Sequence, residues 1–212
     1  YATLTGTSMA TPLVAGALAL YAEVKPDDSK ELMFGNLINT TSTYVDFLAA
    51  IGAEPTPLLK IINHYTDDEI NNQNANDFIE PGEIVKILPL IKNYWGPTDD
   101  VRLGIEFEEF EDQTKATIIQ NEIQIGSMTA YSTLQDLEET FKITIADGVA
   151  NNVDIKFVIK AWSGPDQEYM SDEYEIVINI TNAIIFTEYI TEDLTLTNDR
   201  EWIFQNSMVV TN

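Results

Sequence analysis

The 212-residue sequence predicts a mixed fold: a helical N-terminal piece, an antiparallel β-sandwich, and the start of a further β-rich module. Three observations predict it. Between Met9 and Val24 apolar residues occupy both faces of a helix. From Val101 onward the apolar period switches to two. Charge divides unevenly at a proline-rich break, with net −3 over residues 1–52 and −21 over residues 53–212.

In the helical piece, Leu13, Val14, Leu18, Leu20 and Tyr21 are set among Ala10, Ala15, Gly16, Ala17, Ala19 and Ala22, the composition of a helix packed by protein on all sides. A second helix is expected from about Asp28 to Asn39, with Leu32, Met33, Leu37 and Ile38 as its apolar stripe. Gly52-Ala53-Glu54-Pro55-Thr56-Pro57 follows, and two prolines so close oppose helix continuation. Residues 53–57 are therefore read as a linker between a domain at 1–52 and a sandwich at 58–182.

Four runs alternate cleanly: Val101-Leu103-Ile105-Phe107, Phe141-Ile143-Ile145, Val153-Ile155-Phe157-Ile159 and Tyr174-Ile176-Ile178-Ile180. Weaker strands fit Leu58–Tyr65, Glu83–Asn93 and Ala116–Ile125. One buried face per strand is the mark of antiparallel sheets packed in a sandwich. Pro89 argues for an edge position for its strand, because proline cannot donate to a ladder. Residues 183–212, with alternation in Leu194-Thr195-Leu196, are read as the start of a truncated β module.

Composition excludes several functions. A formal net charge of −24 and a pI near 4.1 repel phosphate backbones and anionic lipid, so nucleic acid and membrane surfaces are not expected partners. No apolar run is long enough for a membrane span. The absence of cysteine removes disulfides, thiolate metal sites and cysteine nucleophiles. Mean hydropathy of −0.10 with 44% hydrophobic residues is a composition that folds.

The chemistry concentrates in Gly6-Thr7-Ser8-Met9-Ala10-Thr11-Pro12-Leu13-Val14-Ala15-Gly16. Placing Ser8 in the first turn of a helix aims its Oγ out of the helix end. It also leaves the Ser8 backbone N–H without an intrahelical partner, so one residue can attack a carbonyl and donate to the resulting oxyanion. This stretch resembles the nucleophile-serine segment of subtilisin-like serine proteases, G-T-S-M-A-T-P-H-V-A-G, and ten of the eleven positions agree. Leu13 departs, where that family often has a histidine that is not the triad base. The resemblance implies that Ser8 is the catalytic nucleophile, that Thr7 lies beside the oxyanion hole, and that the helical piece is the C-terminal fragment of an α/β catalytic domain. A serine nucleophile needs a base and an orienting acid, which in subtilisin order precede it. The partners are then expected in a missing N-terminal part of the same chain, and the isolated chain is expected to be inactive. The one histidine, His64, falls in the first strand of the sandwich and is read as structural.

A second constellation, between the first two strands, holds Asp67, Asp68, Asn74, Asn76, Asp77 and Glu80. Hard oxygens recurring at alternate positions suit Ca²⁺, although the spacing is not that of an EF-hand. A solvated Asx-rich turn is the other reading, and both stay open. The run Asn76-Asp77-Phe78-Ile79-Glu80-Pro81-Gly82-Glu83 resembles the opening of Ig-like domains found in tandem after bacterial secreted proteases, which implies an Ig-like sandwich. The acidic run Glu106–Asp112 is read as a solvated strand face and turn.

The expectation is thus a fragment of a secreted, extracellular or cell-surface subtilisin-like serine endopeptidase that acts on protein or peptide substrates and needs no cofactor for catalysis. The alternative is a non-catalytic binding or spacer sandwich carrying a protease remnant.

Overall fold

The computed structural model describes residues 7–42, 44–68, 78–135, 139–181, 183–186, 195–196 and 201–204. The elements in chain order are α1 (Thr7–Val24), α2 (Lys30–Thr40), α3 (Phe47–Ile51), β1 (Leu59–Asp67), β2 (Ile84–Asn93), β3 (Thr98–Phe107), β4 (Ala116–Gln120), β5 (Glu122–Met128), β6 (Thr133–Leu134), β7 (Phe141–Ile145), β8 (Val153–Ser163), β9 (Tyr169–Met170), β10 (Tyr174–Ile180), β11 (Ala183–Phe186) and β12 (Glu201–Phe204).

Alternation builds two antiparallel sheets. One runs β1-β2-β7-β4 with β6 beside β2, and the other runs β10-β8-β3-β5 with β9 beside β8. Val85, Ile87 and Ile91 of β2 and Phe141, Ile143 and Ile145 of β7 share one buried cluster with Leu103 of β3, Ile155, Phe157 and Ile159 of β8 and Ile176 and Ile178 of β10. The two sheets therefore pack face to face. Each fully buried isoleucine or phenylalanine contributes about 1.5–3 kcal/mol, so this core is the main source of stability. β11 and β12 form a separate, parallel pair. Thr195 and Leu196 lie outside any strand, and Leu194 lies outside the described residues.

The expected mixed class is corrected. Among the described residues antiparallel β-sheet predominates, with 43% strand against 23% helix. An α/β layer needs strands alternating with helices, and residues 7–51 form three helices with no strand among the described residues. Nor does the strand order alone establish the Ig-like label.

Two further expectations change. Pro89 does not mark an edge, because β2 is an interior strand. It pairs with His64 of β1 on one side. On the other side β7 pairs with Ile84–Ile87 and β6 with Ile91–Lys92, so Pro89 falls in the gap between two partners, where no N–H is required. The single strand expected over 116–125 is two: the chain breaks at Asn121 and passes from the first sheet to the second.

The helices have a small core of their own, with Tyr21, Met33, Leu37 and Ala50 buried. Ser29 caps α2 by accepting from the Leu32 N–H at 3.1 Å, and Asp46 caps α3 by accepting from Ala49 at 2.9 Å. Packing of α1 on all sides is not found among the described residues: Leu13 is 73% and Leu20 54% exposed, and the contacts are made by Val14, Ala17, Leu18 and Tyr21.

Helices and sandwich are joined by buried polar contacts. Trp95 Nε1 donates to Asn36 Oδ1 at 2.6 Å, and Asn36 Nδ2 donates to the Tyr21 hydroxyl at 2.7 Å. Asn39 Nδ2 donates to the Tyr94 carbonyl at 2.9 Å, and the Phe34 and Tyr131 rings meet edge to face. The connecting segment is also held. Gly96 donates to the Thr56 carbonyl, and a Cβ on Gly96 would lie 2.6 Å from the Pro55 carbonyl oxygen, so only glycine allows this approach.

Candidate functional site

Thr7 and Ser8 open α1, and both are exposed. The first N–H groups of a helix have no intrahelical acceptor, and their aligned dipoles favour negative charge. No acidic residue stands in the first turn to neutralise that end. Pro12 lies inside the helix and has no N–H, so the Ser8 carbonyl lacks its usual i+4 donor. Thr11 Oγ1 donates to the Thr7 carbonyl at 2.9 Å and braces the same turn. Among the described residues none hydrogen-bonds the Ser8 hydroxyl, which is available for chemistry.

His64 stands elsewhere. It is half-buried in β1, with Nδ1 3.1 Å from the Tyr174 hydroxyl and its ring edge-on to that tyrosine. Burial lowers its pKa, so the neutral ring is favoured. This is a packed strand histidine that joins the edges of the two sheets.

The acidic connection divides. Asn74, Asn76 and Asp77 lie outside the described residues. Asp67 ends β1 and pairs with Lys86 Nζ at 3.2 Å, which neutralises one expected ligand. One oxygen of Asp68 is buried without a hydrogen bond among the described residues. Glu83 accepts from the Glu80 N–H at 2.8 Å, and its pKa is raised, first by burial and then by the charges of Glu80 and Asp68. Among the described residues no three acidic or histidine side chains converge as a metal site.

The Glu83 shift has a testable sign. A carboxylate raised in the folded state contributes stability that is fully present below its unfolded pKa, about 4.3, and is lost as pH rises through the folded value. Glu83→Gln is neutral throughout and keeps an acceptor for Glu80. It should raise the melting temperature near pH 7 and leave it nearly unchanged near pH 4. Equal shifts at both values would show that charge is not the cause. The same melts with Ca²⁺, with Mg²⁺ and with chelator separate the two readings of the loop, since only a cation site gives a rise specific to Ca²⁺.

The acidic run is less solvated than expected. Phe110 stands fully exposed at φ 72°, but the Glu111 side chain is 9% exposed. It accepts from Lys115 Nζ at 2.7 Å and from the Lys156 N–H at 3.1 Å. The Lys115 hydrogen bond leads the effects that hold its pKa below the usual glutamate range. Glu111 is a structural brace that a charge-run reading could not separate from its neighbours.

Ser8 thus stands at an exposed helix start, and the comparison with known families bears on this N-terminal third. Residues 1–77 match the Subtilase family. The subtilase match covers all three helices and β1, and stops before β2. No curated protein matches the chain. Among solved structures, one titled "AvmM Catalyzes Macrocyclization in Alchivemycin A Biosynthesis" aligns with 56% of this chain and 87% of its own, at 9% identity and a TM-score of 0.30. That similarity is too low to carry an argument about fold or function.

Proposed function

We propose that the chain is part of a secreted subtilisin-like serine endopeptidase, with Ser8 as the nucleophile and the sandwich as an accessory domain. The observation that carries this reading is the Gly6–Gly16 pattern, lying inside the subtilase match and opening a helix at an exposed serine. In this reading Ser8 Oγ attacks the scissile carbonyl while a histidine accepts its proton. The Ser8 N–H and the Thr7 hydroxyl face the oxyanion. The proton then passes to the leaving amine, and water releases the acyl group from Ser8. In this reading the base and its orienting acid come from outside these 212 residues, which is supported by the contact of the one histidine, His64, with Tyr174.

A fluorophosphonate probe tests the assignment. It should leave the 212-residue chain unlabelled. In a longer protein that supplies the histidine and aspartate, it should label Ser8 selectively, as mapped by peptide mass spectrometry. Labelling at another serine, or none in the longer protein, overturns Ser8 as nucleophile and favours a non-catalytic module.

A further inference from the structure

The outer face of the second sheet contains a hollow built around a strand glycine. Register sets Arg102 opposite Trp162 and Gly104 opposite Lys160 across β3 and β8, and Gly104 opposite Glu122 across β3 and β5. The Trp162 ring leans diagonally over Gly104. A Cβ on Gly104 would come within 2.8 Å of both Cη2 and Cζ3, so this ring position exists because residue 104 has no side chain. Met170, opposite Trp162 on β9 and 51% exposed, adds a thioether. Gly104, Trp162, Lys160, Glu122 and Met170, with Glu106, Asn121 and Gln167, line an open cleft of about 350 Å³, at the small end of ligand-pocket sizes, and Arg102 stands beside it.

Two properties of the rim define the ligand. The backbone is strained beside the cleft, where Asp166 and Gln167 are consecutive non-glycine residues at φ 52° and 59°. Such conformations persist where the surroundings enforce them and cluster at ligand clamps. Both cations beside the cleft are paired, each with two carboxylates, Arg102 also with Asp100 at 3.2 Å. Lys160 Nζ lies 2.8 Å from Glu106 and 3.0 Å from Glu173, and Arg102 lies 3.2 Å from Glu122. The rim thus offers ion-paired donors and acceptors around an aromatic wall, with no unpaired cation among these groups. A flat apolar surface ringed by mixed donors and acceptors complements a pyranose ring, which has an apolar C–H face and hydroxyls that both donate and accept. The net charge of −24 selects against a polyanionic glycan.

We propose that the Gly104–Trp162 hollow is a binding site for a neutral oligosaccharide, stacked on Trp162 and hydrogen-bonded by the paired rim. This inference is independent of the role of Ser8. Isothermal titration of the 212-residue chain with cellohexaose, chitohexaose and mannohexaose, and with decalysine in parallel, tests it. At least one hexaose should bind saturably. Trp162→Ala and Gly104→Ala should each weaken it by roughly tenfold or more, the second by displacing the ring. Met170→Ala, at an exposed position that does not threaten the fold, should weaken it about threefold. Circular dichroism confirms that each variant is folded. Absence of binding by all three hexaoses, equal binding by wild type and Met170→Ala together with a folded Trp162→Ala, or binding of decalysine alone overturns the proposal; the last outcome would assign the hollow to a basic peptide.

Discussion

Ser8→Ala, in a protein that supplies the histidine and aspartate, should lower kcat for peptide hydrolysis by about 10⁶, the loss subtilisin itself shows when its nucleophile is removed. KM should stay within about threefold, because a hydroxyl with no hydrogen bond among the described residues adds little to ground-state binding. The size of the effect follows from roles that cannot be divided. Without Oγ there is no acyl intermediate, and the base has no proton to accept. Residual turnover would come from the oxyanion donors, the residue 8 backbone N–H and the Thr7 hydroxyl, which both survive the substitution. Steady-state kinetics on a chromogenic peptide measure both constants. If kcat falls less than about tenfold, another group attacks the carbonyl and Ser8 is only the start of a helix.

The same helix start shows what a sequence can and cannot reveal. The Ser8 pattern is local, occupies eleven consecutive residues, and was legible because no propensity explains that order. Alternation placed β3, β7, β8 and β10 within a few residues of their observed bounds, because one face of each is packed on the shared core. Features set by register were hidden. Gly104 and Trp162 are far apart in sequence and meet only because β3 and β8 pair with one particular offset. The signal available was a glycine inside a clean strand, which marks a close approach without naming the neighbour. Pro89 misled for the same reason: a gap between β6 and β7 along one side of β2 is a property of partners. The short helix α3 was also missed. Five residues carry too little periodicity, and its clearest sign was the Asp46 cap.

The largest loss of stability is expected from Asn36→Ala. Asn36 is 2% exposed, and it joins α1 through Nδ2 on Tyr21 to the sandwich side through Oδ1 on Trp95. Tyr21, itself 1% exposed, accepts from Asn36 and donates to Asp28 Oδ2 at 2.8 Å, so the relay runs from α1 through α2 to Trp95. Alanine removes the acceptor for the Trp95 indole, which can only donate, and removes one partner of a buried phenol. An unmet buried donor costs about 1–3 kcal/mol and each lost hydrogen bond about 1 kcal/mol, so the substitution should cost about 2–4 kcal/mol in urea denaturation. Domains are typically stable by only about 5–15 kcal/mol, so the loss should also be visible as a broken transition, the helices melting before the sandwich. Trp95→Phe separates hydrogen bonding from packing. If the indole–amide bond is the coupling, the double variant should lose less than the two single losses combined, because each change removes the group that the other would leave unpaired. Strict additivity, with a single transition and a loss under about 0.5 kcal/mol for Asn36→Ala, would show that α2 is held to the sandwich by the Phe34–Tyr131 contact instead.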